Sequence, residues 1–181
     1  MRIFMFFIIF LASFSVSSEP KISTEFNFYT IYPTHKKDLE PEMRERTPIE
    51  KEGIKYNGHT HWKVNWTFQW KEASELCQIS EVNTYLIIKY TLPRIPSDHT
   101  VSSTVRHTFD KYYESLFKHE QGHKDSGLFA ARDIEEALLS LGLFKDCNCL
   151  ETVANKIGEE IIGKYNKRDK DYDTRTNHGR F

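Results

Sequence analysis

Two histidines four residues apart, with a glutamate directly after the first, carry the strongest chemical signal in this chain: His119, Glu120 and His123 in "KHEQGHKDSG". On a helix, residues i and i+4 lie one above the other, so both imidazoles can reach a single cation. Glu120 points about 100° round the same helix, where its carboxylate can touch a water on that cation without replacing it as a ligand. This is the HExxH arrangement. Zinc lowers the pKa of a water it holds towards ~7, and the glutamate takes the proton as the water attacks a carbonyl. A catalytic zinc needs a third protein ligand and one position left for water. The plainer reading is a pair of core histidines without metal, but two buried imidazoles beside a carboxylate would then need several hydrogen-bond partners.

The third ligand is less clearly marked. A metzincin would place a histidine six residues after His123; that residue is Phe129, which excludes the class. Glu159 and Glu160, in "KIGEEIIGKY", lie on a following helix in a gluzincin-like position, although an exposed charged pair is the ordinary role for such residues. His178, in "YDTRTNHGRF", is the other candidate, close to the C-terminus. His59 and His61 share the polar face of a strand, where cross-strand contacts are the default.

These residues must be positioned by a strand-rich front and a helical back. In "HWKVNWTFQW", Trp62, Val64, Trp66, Phe68 and Trp70 alternate with polar residues, the period of a strand with one buried face. "VNTYLIIKYTL" alternates similarly and "ISTEFNFYTIY" more weakly, with Asn57-Gly58 as a hairpin turn. Residues 22 to 92 are therefore expected to form a small, mainly antiparallel sheet, with a short helix or loop in "THKKDLEPEMRERTPIEKEG". After "LPRIPSDHT" the period becomes helical, and Val105, Phe109, Leu116, His119, His123, Gly127, Ala130, Ile134 and Leu138 share one stripe. Both histidines thus face inward. Ser102 or Ser103 can cap this helix, and Gly142 can close it in the left-handed conformation with Leu143 packing back. A second helix is expected from about Asn148 to Tyr165, capped by Asn148 and Glu151, before a tail that returns to the metal. Gly127, one turn beyond His123, leaves room for a close approach, expected from the terminal "NHG".

A chain of 181 residues suits one domain. "MRIFMFFIIFLASFSVSSEP" has one basic residue, an apolar run and small residues before Glu19, which reads as a signal peptide over 1–18 and a single mature domain over 19–181. The run falls short of the ~20 apolar residues of a spanning helix, and no other stretch could cross a bilayer. Net charge is −1, with basic residues interleaved with acidic ones, so nothing favours nucleic acid. Three cysteines suit an exported protein with one disulfide, Cys77 to Cys147, with Cys149 as the alternative partner.

"LFKHEQGHKDSGLFAARDI", "YTLPRIP", the cysteine before "LETVAN" and above all "YDTRTNHG" together resemble a bacterial family catalogued as a domain of unknown function and described as secreted zinc-dependent proteases. The likeness runs from about Tyr29 to Phe181. It implies a zincin-like α+β fold with the sheet packed on the HExxH helix, and a zinc site at His119 and His123 with Glu120 as base. It also implies His178 as third ligand, Tyr172 as a donor to the oxyanion, and Asp173 orienting a histidine from behind. The expected activity is hydrolysis of a peptide or protein substrate in the periplasm or outside the cell. Two rivals remain: a cell-wall peptide amidase, and a non-catalytic zinc-stabilised envelope module.

Overall fold

The computed structural model describes residues 19–179; the expected leader at 1–18 lies outside the described residues. The architecture is α+β, a small mixed sheet and three helices. The alternating tryptophan segment forms β4 (His59–Ala73), which pairs antiparallel with β5 (Leu76–Arg94), while β1 (Lys21–Thr30) runs parallel along the other side of β5. The spatial order is β1-β5-β4.

The parallel edge corrects the expectation of a mainly antiparallel sheet, and its cause lies in the connections. Between β1 and β4 the chain makes an excursion through α1 (Leu39–Arg46) and a small hairpin, β2 (Glu50–Lys51) and β3 (Ile54–Lys55). That excursion leaves a strand-wide gap between β1 and β4. A tight turn then folds β5 back into the gap, antiparallel to β4 and hence parallel to β1.

Asn57-Gly58 is not the hairpin turn of the main sheet. The turn is Ser74-Glu75, with both residues left-handed at φ 53° and 61°, the geometry of a two-residue primed turn without the asparagine or glycine that usually signals it. Gly58 instead lies against the next helix, where a Cβ would come within 2.7 Å of Glu120 Oε1 and 2.9 Å of Leu116 Cδ1.

The helical stripe forms α2 (Ser103–Leu139), capped by the Ser102 hydroxyl, which accepts from the Val105 N–H at 3.3 Å. It crosses the sheet on the face carrying Trp62, Val64, Leu86 and Ile88, and buries Leu116, Ala130, Ala131, Ile134 and Leu138 there. Gly127 is where helix and sheet come closest: a Cβ would meet Leu86 at 2.9 Å and Trp62 at 3.0 Å. The close approach expected from the C-terminus is thus made by the sheet, because Gly127 sits on the sheet-facing stripe. A second cluster joins Tyr29, Ile31, Leu39, Met43 and Ile95 to the first turns of α2.

The end of α2 also differs from expectation. Gly142 is not left-handed, and Leu143 is 61 % exposed. The chain crosses instead to the start of β5, where Cys77 and Phe144 exchange backbone hydrogen bonds of 2.7 and 2.9 Å. Beside them Cys77 and Cys147 form the disulfide, leaving Cys149 as an exposed thiol. The bridge closes a separation of 70 residues. Replacing both cysteines by serine is expected to lower stability by about 4 kcal/mol, the chain-entropy value for such a loop. Denaturant unfolding of the two proteins measures it, and equal midpoints would show that the backbone bridge alone suffices.

The last helix, α3 (Cys147–Arg175), packs on α2 and is ten residues longer at its C-terminal end than its apolar pattern indicates. Its cap is Asp146, whose carboxylate accepts from the N–H groups of Asn148 (2.8 Å) and Cys149 (3.3 Å), in place of the expected Asn148–Glu151 box. Trp66 lies over Gly158, where a Cβ would come within 2.7 Å of the indole, so the sheet and α3 also meet directly. Among the described residues no helix is long and apolar enough to cross a membrane.

Candidate metal centre

His119, Glu120 and His123 all lie on the buried face of α2, at 6 %, 3 % and 8 % exposure. Facing them is the last stretch of α3. The helix continues past Tyr165 because "NKRDKDYDTR" contains no proline or glycine and carries an i,i+4 pair, Lys167 to Asp171 at 2.8 Å. Asp169, Tyr172, Asp173 and then Thr176 consequently fall on one side, directed at the two histidines.

Their contacts divide the four imidazole nitrogens. His119 Nε2 and His123 Nε2 point to a common place, 3.3 Å apart, and Asp173 Oδ1 lies 3.2 Å from the first and 3.0 Å from the second. The outer nitrogens have separate partners. Thr176 Oγ1 is 3.2 Å from His119 Nδ1, and because its own hydrogen is donated to the Tyr172 carbonyl at 2.8 Å, it accepts from the ring. Asp169 Oδ1 lies 3.4 Å from His123 Nδ1, while its other oxygen accepts from the Trp62 indole N–H at 2.5 Å. Thr176 and Asp169 thus lie against the outer Nδ1 atoms and Asp173 against both inner Nε2 atoms, so a cation that displaced the Nε2 protons would meet both Nε2 lone pairs turned inward.

Tyr172 fixes the same geometry by packing. Its ring stacks on His119 at 4.9 Å between centroids and meets His123 edge-on at 5.2 Å. It fits because residue 122 is glycine: a Cβ there would be 2.5 Å from the Tyr172 ring and hydroxyl. Alanine for a mid-helix glycine normally stabilises by about 1 kcal/mol. Gly122→Ala is expected to reverse that sign and destabilise by about 1–3 kcal/mol, because Tyr172 must move and carries Asp173 with it. Thermal unfolding with and without zinc reports both losses; a stabilised variant with unchanged zinc affinity would disprove the contact.

Glu120 sits beside this cluster. Its Oε2 accepts from the Thr60 hydroxyl at 2.7 Å, and the bare backbone of Gly58 backs Oε1. Burial pushes its carboxyl above the ordinary value, outweighing the Thr60 hydrogen bond and the two histidines, which act the other way. Burial opposes charge on His123, yet Asp169 and Asp173 prevail and push it up to about 10. Burial likewise opposes ionisation of Asp173, but the hydrogen bonds from His119 and His123 hold it well below the usual range. The locus between the two Nε2 atoms therefore attracts positive charge.

The donor set fits a zinc ion: two neutral-capable imidazoles and one carboxylate from two helices, their ligand atoms all within 4.8 Å of one another. Asp173, expected to orient a histidine from behind, lies with its Oδ1 against both Nε2 atoms and is the third residue of the group that could hold the ion. His178, expected as that ligand, stands behind it, its Nδ1 3.7 Å from Asp173 Oδ1, its side chain 39 % exposed and its backbone left-handed at φ 52°. Tyr172, expected to serve the oxyanion, covers the imidazoles and is not among the residues lining the cleft. Glu159 and Glu160 are exposed, more than two turns away along α3, Glu160 facing Lys156 at 3.8 Å. Asp169 and Thr176 were not anticipated. Extending the helical period through "DKDYDTRT" would have revealed both, since they precede Asp173 by four and follow it by three residues.

The cluster opens on a cleft of about 570 Å³ lined by His119, Glu120, His123, Asp173, His178, His59, Thr91, Tyr56, Gly58 and the segment 48–51. No curated protein and no solved structure matches the chain. A family pattern does match, over residues 26–179, which takes in the sheet, the HExxH helix, and the α3 face with Asp169, Asp173 and Thr176. By that match the chain belongs to the family described as bacterial protein of unknown function, DUF922.

Proposed function

We propose that this protein is an exported, zincin-like, zinc-dependent peptidase. One observation carries the reading: two histidines a helical turn apart and a carboxylate from a second helix converge on one point, with a separate buried carboxylate beside it. In this reading His119, His123 and Asp173 hold the zinc. When bound, zinc supplies a Lewis acid that polarises the substrate carbonyl and makes water acidic enough to attack at neutral pH.

The chain's own residues account for the rest. Glu120 takes the proton of the attacking water, and its raised pKa suits it to pass that proton on to the leaving amine. Thr60 holds Oε2 and so directs Oε1 towards the cleft. Asp169 and Thr176 keep the imidazoles in the tautomer that binds metal. Tyr172 roofs them and excludes water from that side. His178, on the rim beside Asp173, is placed to donate a hydrogen bond to the substrate carbonyl oxygen. The apolar leader and the Cys77–Cys147 bridge support an extracytoplasmic location.

The test is metal content and cleavage together. Purified protein is expected to carry about one zinc per chain, to cleave members of a peptide library, and to lose and regain cleavage on chelation and zinc return. Zinc bound with no peptide cleaved would favour the non-catalytic module, and no zinc bound would end the reading.

A further inference from the structure

A second cavity of about 400 Å³ adjoins the metal cleft and has no part in the chemistry above. Its size is within the range of about 300–1,000 Å³ typical of ligand sites. Tyr56, Gly58 and His178 line both spaces and form the partition between them. The Tyr56 and His178 rings are 5.2 Å apart, and Gly58 contributes only backbone beside Glu120. A chain lying over Glu120 can therefore continue across Gly58 from one space into the other.

The interior of this second cavity has two chemistries. Leu39, Met43, Phe109 and Leu116 give it an apolar floor. Lys36, Lys37, Arg44 and Lys55 stand at its rim. The single acidic lining residue, Glu40, is already paired with Arg44 at 3.5 Å, and neither Lys36 nor Lys37 makes an ion pair among the described residues. A site for a free anion would not need the floor, and a plain apolar pocket would not need the cations. Both together fit a bulky apolar group with a negative charge next to it.

Resting on the peptidase reading, we propose that this cavity is the substrate-selecting subsite, which takes a peptide segment in which a large apolar side chain is followed by a carboxylate. That carboxylate is either an acidic side chain or the peptide's own C-terminus.

Binding separates the subsite from the catalysis. Zinc-loaded Glu120→Gln protein is titrated, by fluorescence anisotropy at low salt, with labelled peptides containing Phe-Glu or Phe-Gln, each with a free or an amidated C-terminus. The charged forms are expected to bind about tenfold more tightly than their neutral counterparts, with the difference shrinking as salt rises. Sensitivity to Glu-to-Gln replacement assigns the carboxylate to a side chain; sensitivity to amidation assigns it to the chain end. Lys36→Glu/Lys37→Glu is expected to abolish or invert the preference, and Lys55→Glu, on a different element, to weaken it. Unchanged zinc content and thermal unfolding verify that these variants are folded. Equal binding of all four peptides, no binding, or an unchanged preference in both variants overturns the subsite. A wild type that cleaves nothing while the binding preference holds overturns the peptidase reading and leaves the subsite standing.

Discussion

Glu120→Gln is expected to bind zinc as the wild type does and to lose about 10²–10⁴-fold in peptide cleavage, the usual contribution of a positioned general base. The separation of the two effects follows from geometry. Glu120 is not among the three side chains whose ligand atoms converge, so its replacement leaves the donor set whole. Glutamine has the same shape, and its carbonyl oxygen can still accept from the Thr60 hydroxyl, which lies 2.7 Å from Oε2 in the native protein. The tight space against Gly58 also favours an isosteric change over a truncation. What glutamine cannot do is accept the proton from water. Zinc content by elemental analysis and initial rates on a cleaved peptide report the two quantities separately. A variant that cleaves at the wild-type rate would remove Glu120 from the mechanism, and one that loses zinc would make it a ligand.

Asp173→Ala is expected to abolish zinc retention and cleavage together, whereas His178→Ala keeps the zinc. Asp173 Oδ1 is within 3.2 Å of both Nε2 atoms, and removing it leaves two imidazoles facing each other at 3.3 Å with no inward carboxylate. The loss in affinity should exceed the about 10–100-fold typical of removing a group that merely supports a ligand. Asp169→Asn supplies that comparison, because of the four imidazole nitrogens Asp169 approaches only the outer one of His123 and its other oxygen can still accept from the Trp62 indole as an amide oxygen, and a loss within that smaller range is expected. His178 is half-exposed and 3.7 Å from Asp173, so its loss should slow cleavage without emptying the site. Competition with a chromogenic chelator measures all four proteins. If His178→Ala loses zinc and Asp173→Ala retains it, the assignments exchange and the C-terminal segment must close further over the cluster when metal binds.

Much of this arrangement was legible in the chain itself. Period two from Trp62 to Trp70 defines a strand, and the three-and-four spacing from Val105 to Leu138 defines a helix whose inward stripe includes His119 and His123. Each periodicity reports which side of an element avoids water, and that preference is local. The same logic failed on α3 beyond Tyr165. There the face turned inward consists of Asp169, Tyr172, Asp173 and Thr176, and a polar face that packs on a polar site has no hydrophobic signature. The hairpin was displaced for a related reason: Asn57-Gly58 has the composition of a turn, but its glycine serves a close approach to Glu120, while Ser74-Glu75 adopts left-handed geometry without any compositional mark.

By itself, then, the sequence determined the elements, the inward direction of the HExxH pair, and the identity of Glu120 as the adjacent carboxylate. Only the tertiary structure decided which distant residue meets them. A helix phase fixes where a side chain points but not what stands opposite. That Asp173, rather than His178, Glu159 or Glu160, lies against both Nε2 atoms came from the packing of α3 on α2, set by small residues such as Gly122, whose missing side chain admits Tyr172 and brings the next residue's carboxylate to the histidines.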